Sequence, residues 1–256
     1  MWLGIETSSL VSSVALLDQD ILLGEITMQA GLTHSEQLVP HIALLLEQAC
    51  VDRSELTGIV VSIGPGSFTG LRIGMGTAKA MAYALNIPLY GVMTMEGMAY
   101  NLPMTDRKIS VVIDAQKKNV YEAVYEWQGN DLVCLQEPTV KAAVDLWEEI
   151  LQEGRPRILL GDGLKRLDKV IDRELLVDGT PLVTVANPTV NIPSASSLLW
   201  AAKQTPGGLK PADPMTLIPY YNRRSEAEVM WDEKHKDNPE MLAQNPQVTV
   251  IETVQK

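Results

Sequence analysis

The chain has 256 residues, of which 46% are hydrophobic, 21% charged and 5% aromatic, and it carries a formal net charge of −11. That length and composition suit a folded protein with a sizeable core and exclude a disordered chain. The basic residues fall in scattered pairs such as Lys117-Lys118, Lys165-Arg166 and Arg223-Arg224, which argues against binding nucleic acid unaided, because that requires Lys and Arg to neutralise phosphates.

In chain order, Leu3 to Thr7 and Ser13 to Asp18 read as strands, and Ile21 to Met28 as a third in a hairpin around Asp18-Gln19-Asp20. Thr33-His34-Ser35-Glu36 has capping-box spacing. The helix it opens carries Leu38, Val39, Ile42, Leu45, Leu46 and Ala49 at amphipathic spacing. Pro40 inside it should kink the helix or mark its real start. Ile59 to Ile63 reads as a short buried strand, Phe68 to Leu85 as a helix and Leu89 to Val92 as another strand.

The second half repeats this order. Ile109 to Asp114, Val120 to Trp127 and Leu132 to Gln136 read as strands, Ala142 to Leu151 as a helix and Arg157 to Leu160 as a strand. Ile5-Glu6 recurs as Ile113-Asp114, and at the same offset Ala15 falls on Ala123 and Leu16 on Val124 without a gap. A duplicated β-β-β-α-β-α unit predicts two similar lobes with a cleft between them. The expected organisation is an N-terminal lobe over 1–105, a C-terminal lobe over 106–190, a returning helix and loop over 191–225 and a polar, partly mobile tail over 226–256. The returning helix is Ser194 to Lys203, and Val248 to Val254 could add a strand to the tail.

The most informative run is Gly64-Pro65-Gly66-Ser67-Phe68-Thr69-Gly70-Leu71-Arg72-Ile73-Gly74. It joins a strand to a helix. Its glycines allow positive φ and close approach, and the helix start offers N–H groups to an anion. It is not a Walker A loop, because no Gly-Lys-Ser/Thr follows at the required spacing. A tight connection with no ligand explains the same residues.

Three segments together resemble the TsaB (YeaZ) family: Gly4-Ile5-Glu6-Thr7-Ser8, His34-Ser35-Glu36-Gln37-Leu38, and Gly64 to Gly74. Ile113-Asp114-Ala115, Val120-Tyr121 and Tyr220 to Glu226 fit the same family, so the resemblance runs from about Met1 to Glu228. It implies an α/β chain of the actin-like, Hsp70-like ATPase (ribonuclease H-like) fold, two related lobes each with a mixed sheet flanked by helices. It also implies a role in making threonylcarbamoyladenosine in tRNA. In that superfamily the first hairpin of each lobe faces nucleotide phosphates, which places Glu6, Thr7, Ser8, Gly66, Ser67 and Asp114 as phosphate-facing candidates. A carboxylate with hydroxyls suits a hydrated magnesium ion near phosphates. Glu6 and Thr7 satisfying a tight turn is the competing reading.

The catalytic paralogue, TsaD, holds a metal through a His-Met-Glu-Gly-His segment, and the matching segment here is Thr94-Met95-Glu96-Gly97-Met98. Thr94 is a poor ligand and Met98 a soft thioether, so no metal site and no catalytic residue are expected. The three histidines, His34, His41 and His235, form no His-Glu-x-x-His motif, and no Ser-His-Asp set is identifiable. The resemblance therefore implies a non-catalytic subunit that binds a TsaD-like catalytic subunit, is joined by a TsaE-like ATPase, reaches tRNA only through that complex and forms a homodimer when alone. The family pairs its two N-terminal helices with the partner's, which makes Leu38, Ile42, Leu45, Gly70, Gly74, Ala78, Met81 and Ala82 the expected interface. The small residues 70, 74, 78 and 82 let a helix approach closely, and packing on the chain's own sheet would use them equally well. No cofactor is expected to bind tightly, and ATP or ADP, where bound, belongs at the complex interface. A nucleotide sensor in its own right and a peptidase acting on the partner are the alternatives. The isolated Cys50 and Cys134 suit a reducing compartment. With no basic leader and no long apolar run, the expectation is a cytoplasmic protein without a membrane span.

Overall fold

The first strand, β1 (Trp2–Glu6), alternates Leu3 and Ile5 toward one layer and Gly4 toward the other. The computed structural model that places it describes residues 1–29 and 34–221, together with Trp231 and Lys234. Thr33 of the expected capping box, the tail strand 248–254 and, apart from Lys234, the stretch 232–245 lie outside the described residues. The chain divides into two units, Met1–Tyr220 and Tyr221–Lys256, and every element below belongs to the first.

After β1 come β2 (Ser12–Asp18), β3 (Ile21–Met28), α1 (His34–Gln48), β4 (Gly58–Gly64), α2 (Phe68–Leu85), β5 (Leu89–Met93) and α3 (Thr94–Ala99). The strands form one sheet in the order β3-β2-β1-β4-β5, with β1 antiparallel to β2 and parallel to β4. The second lobe runs β6 (Lys108–Asp114), β7 (Asn119–Gln128), β8 (Asp131–Ala142), α4 (Ala143–Glu153), β9 (Arg157–Leu160) and α5 (Leu164–Leu167). A short ribbon, β10 (Leu176–Val177) with β11 (Thr180–Pro181), precedes β12 (Val183–Val185), and α6 (Ala195–Gln204) follows. The second sheet is ordered β12-β9-β6-β7-β8, the same topology with the same parallel and antiparallel pairs. The duplication read from the sequence is therefore real at the level of element order. The gap-free residue alignment is not. Glu6 pairs with Ser13 but Asp114 pairs with Val120, so the turn 115–119 is one residue shorter than the turn 7–12.

Each sheet buries apolar side chains on both faces. In the first lobe, α1 and α2 cover one face through Leu38, Ile42, Leu45, Ala78 and Ala82 against Leu3, Ile5, Val14, Ile59 and Val61. On the other face α6 packs Ala195, Leu198 and Leu199 against Ala15, Val60 and Val92. In the second lobe α4 and α5 close over Val112, Val120 and Leu159. The α6 N-terminus is fixed by a carboxylate from β3. Glu25 accepts hydrogen bonds from Ser13 Oγ, Ser194 Oγ and both the backbone N–H and Oγ of Ser196, at 2.8–3.1 Å. Burial pushes Glu25 up, but these donors outweigh it and hold its pKa below the usual carboxylate value. A negative charge at a helix N-terminus also meets the positive end of the helix dipole.

Pro40 neither ends nor starts α1. The helix runs through it, and Pro40 lies on the exposed side. Strand β8 is longer than the expected Leu132 to Gln136. It is an edge strand of the second sheet, where Pro138 leaves no central ladder bond unmade.

Candidate functional site

The hairpin β1–β2 and the glycine run meet in one joint. Glu6, at the end of β1, is 1% exposed and accepts hydrogen bonds from the Ser8 N–H at 2.6 Å and Ser62 Oγ at 3.1 Å. Burial is the dominant influence on it and raises its pKa above the ordinary carboxylate value, against the lowering effect of Ser8 and Ser62. Thr7 Oγ donates to the Gly70 carbonyl at 2.8 Å, and the Ser67 N–H donates to the Ser8 carbonyl at 2.6 Å. Ser67 also caps α2, its Oγ accepting from the Gly70 N–H at 3.2 Å. His34 braces the same turn, its Nε2 lying 2.7 Å from the Ser9 carbonyl oxygen.

The glycines are required by this contact. A Cβ on Gly66 would lie 2.2 Å from the Ser8 carbonyl oxygen, and one on Gly70 would lie 2.1 Å from that of Thr7. On Gly74 it would lie 2.1 Å from Thr7 Oγ1. Thr7 and Ser8 occupy the space that side chains at 66, 70 and 74 would need, so these glycines form a packing joint between α2 and the first hairpin.

This also corrects the expected partner ridge. Leu38, Ile42, Leu45, Ala78 and Ala82 are at most 4% exposed and sit in the lobe's own core, with Met81 packed against them and Gly70 and Gly74 pressed on Thr7. The outward face of α2 carries a different ridge at the same spacing: Phe68, Arg72, Gly76, Ala80 and Ala84 are all exposed, with Tyr83 beside them at 77%. A Cβ on Gly76 would meet nothing within 4 Å. The neighbouring α1 turns Val39, Pro40, Ala43 and Leu44 outward.

Asp114, the counterpart of Glu6, is committed elsewhere. Its carboxylate takes a two-pronged contact from Arg166 at 3.0 Å and 3.0 Å, Lys165 at 3.2 Å and the Gln116 N–H at 2.8 Å. Burial pushes its pKa up, and the Arg166, Gln116 and Lys165 contacts outweigh that and hold it below the usual Asp value. The turn beyond it holds Gln116, Lys117 and Lys118 in consecutive left-handed conformations, with φ of 60°, 47° and 70°.

Between the lobes lies a cavity of about 160 Å³. Of the six residues expected to face phosphates, Ser8 alone lines it. Thr94 and Met98 line it too, one turn apart on α3. Ser9, Gln29, Asp162, Lys165 and Asn191 also line it, and sequence reasoning missed Asp162, Lys165 and Asn191. Asp162 accepts from the Asp114 N–H at 2.9 Å, and Asn191 accepts from the Gly161 N–H. A signal for them existed. Gly161-Asp162-Gly163 follows β9 as Gly64-Pro65-Gly66 follows β4, and Gly161 and Gly64 share a φ of 115° and 114°. Clefts that bury a drug-sized ligand span roughly 300–1,000 Å³, and the volume here lies below that range. Among the described residues no group of three or more His, Cys, Asp or Glu side chains could hold a metal ion.

The family model described as TsaD, tRNA N6-adenosine threonylcarbamoyltransferase, matches residues 26–172. The tRNA threonylcarbamoyladenosine biosynthesis protein TsaB of Bacillus subtilis is 32% identical over 91% of this chain and 99% of its own length. The chain belongs to the TsaB family. The TsaB protein of Escherichia coli is 27% identical over 54% of this chain and 63% of its own. The solved structure of YeaZ from Pseudomonas aeruginosa matches with a TM-score of 0.72 over 86% of this chain and 98% of that one, at 23% identity, which shows a shared fold. Together with the repeated sheets, this fits the actin-like, Hsp70-like architecture. Within that TsaB fold, the two hairpins that would meet phosphates are here tied to Gly70 and to Arg166.

Proposed function

We propose that this chain is the non-catalytic subunit of the machinery that forms threonylcarbamoyladenosine in tRNA. It would act by docking a TsaD-like catalytic subunit on the outward faces of α1 and α2. The observation that carries this reading is the paired helix surface itself. Val39, Ala43 and Leu44 on one helix and Phe68, Gly76, Ala80, Tyr83 and Ala84 on the next leave apolar and small side chains in solvent. The i, i+4 ridge of Gly76, Ala80 and Ala84 lets a partner helix come to the low end of interhelical distance, about 8 Å. A second copy of the chain would use the same ridge when the partner is absent. A TsaE-like ATPase would complete the assembly, and tRNA would be met only through it. The compartment that suits this role is the cytoplasm, and among the described residues no helix is long and apolar enough to cross a membrane.

The nucleotide-sensor reading has less to support it. Thr7 and Ser8 pack against the glycines, and Asp114 is held by Arg166, so neither hairpin offers the phosphate contacts this reading expects.

The test is reconstituted threonylcarbamoyl transfer to tRNA with the TsaD-like and TsaE-like subunits, using the wild type and the variants Gly76→Leu and Ala80→Glu. Gly76 has open space around its Cα, so Leu should fold at least as well there, because it is the better helix former. Loss of partner binding and of product with an intact fold is expected. Full partner affinity in both variants would sink the assignment of this face.

A further inference from the structure

The interlobe cavity has a chemistry of its own that neither the partner surface nor the glycine joint uses. Its floor is apolar, with Val11, Met98 and Pro193 buried there. In that floor Thr94 is 1% exposed, and its hydroxyl finds no hydrogen-bond partner among the described residues. A buried hydroxyl left unpaired is unfavourable, so its presence points to an acceptor or donor that enters the cavity. At the mouth stand two opposite charges, Asp162 and Lys165, both exposed. Lys165 contacts Asp114, but Asp114 is also held by the two-pronged Arg166. Lys165 can therefore turn to a ligand without leaving Asp114 unpaired.

We propose that this cavity binds a free amino acid with a short polar side chain, its carboxylate on Lys165, its ammonium on Asp162 and its side-chain hydroxyl or amide on Thr94 Oγ. Opposite charges at the rim select a zwitterion over a simple anion or amine. Two buried hydroxyls of the cavity wall, Thr94 Oγ and Ser8 Oγ, have no partner among the described residues, and they select a short polar side chain over an aliphatic one of the same shape, because a site built to hydrogen-bond a substituent rejects the analogue that lacks it. The narrow volume excludes large side chains.

The experiment is calorimetric titration of the full chain with individual L-amino acids, at ligand concentrations up to about 10 mM so that weak, millimolar binding registers. Threonine, serine and asparagine are compared with valine and alanine, and with the matching carboxylate-only and amine-only analogues. Binding of one or more of the polar set is expected, with valine at least tenfold weaker than threonine. Thr94→Val keeps the side-chain shape and should erase that preference. Lys165→Gln should weaken every amino acid alike. Three results would each overturn the proposal: no heat from any amino acid, which would leave the cavity to solvent; equal binding of the carboxylate-only analogues; or an unchanged threonine preference in Thr94→Val.

Discussion

Replacing Gly70 by Ala tests whether the glycine run is a joint. The new methyl would sit 2.1 Å from the Thr7 carbonyl oxygen, a backbone atom that no rotamer change can remove. Either α2 or the first hairpin must move. That movement breaks or strains the Thr7 Oγ to Gly70 carbonyl bond of 2.8 Å and the Ser67 N–H to Ser8 carbonyl bond of 2.6 Å. Overpacking costs about 1–3 kcal/mol, and leaving the buried Thr7 hydroxyl unpaired costs about 1–3 kcal/mol more. Removing a helical glycine returns about 1 kcal/mol, so a net loss of about 1–5 kcal/mol is expected. Gly76→Ala, two turns further along α2 with nothing within 4 Å of its Cβ position, keeps the helical gain of about 1 kcal/mol alone. Urea unfolding of both variants reads the contrast as midpoints displaced in opposite directions at constant slope. A Gly70→Ala protein as stable as the wild type would refute the joint.

Further tests address the charged groups. Glu6 has its pKa raised by burial, so its native environment favours the protonated form. Its contribution is fully present below the ordinary carboxylate range and is lost as pH rises through its raised native value. Glu6→Gln should remove that dependence, giving a flatter curve of unfolding midpoint against pH, and an unchanged slope would contradict the assignment. Glu25 has the opposite sign, since its pKa is lowered. Its stabilisation is present above the ordinary carboxylate pKa and fades as pH falls through the native value. Glu25→Ala should cost about 1–3 kcal/mol at neutral pH and speed amide exchange at Ala195 to Ser197. Arg157 is 5% exposed in its side chain and bonds Ser110 and Glu122 as well as Glu153. Arg157→Ala should cost about 3–5 kcal/mol, read by thermal unfolding, and a loss under about 1 kcal/mol would show the cluster to be solvated.

What the sequence disclosed was local. The strand before Gly64 and the helix after Ser67 are marked by glycine and proline punctuation, and the structure places them at Gly58–Gly64 and Phe68–Leu85. The repeated order of elements survived too, because hydrophobic period and turn residues suffice to give it. Which side of α2 faces solvent did not follow. Gly70, Gly74, Ala78 and Ala82 suit close packing on anything, and only the approach of Thr7, in the turn after β1, decides that they face inward. The outer ridge, Gly76, Ala80 and Ala84, has the same spacing and the same residue types. The tie of Asp114 to Arg166 stayed hidden for a similar reason. Its partner Arg166 lies on a helix of a single turn, α5, that has no periodic signature. The cavity residues come from six separated segments, and the duplicated Gly-x-Gly at 161–163 was the one clue that could have joined them.

Ser8 belongs to two places at once. It stands in the cavity wall, and its carbonyl holds the N–H of Ser67, the residue that caps α2. The helix offered to a partner and the wall offered to a small molecule therefore share one rigid piece of backbone, with the glycines removing the slack that longer side chains would leave. If a partner docked as proposed shifted α2, the cavity wall would shift with it, and a molecule that preferred one position of Ser8 would alter partner binding by the same factor. Titrating one in the presence of the other would measure that exchange directly.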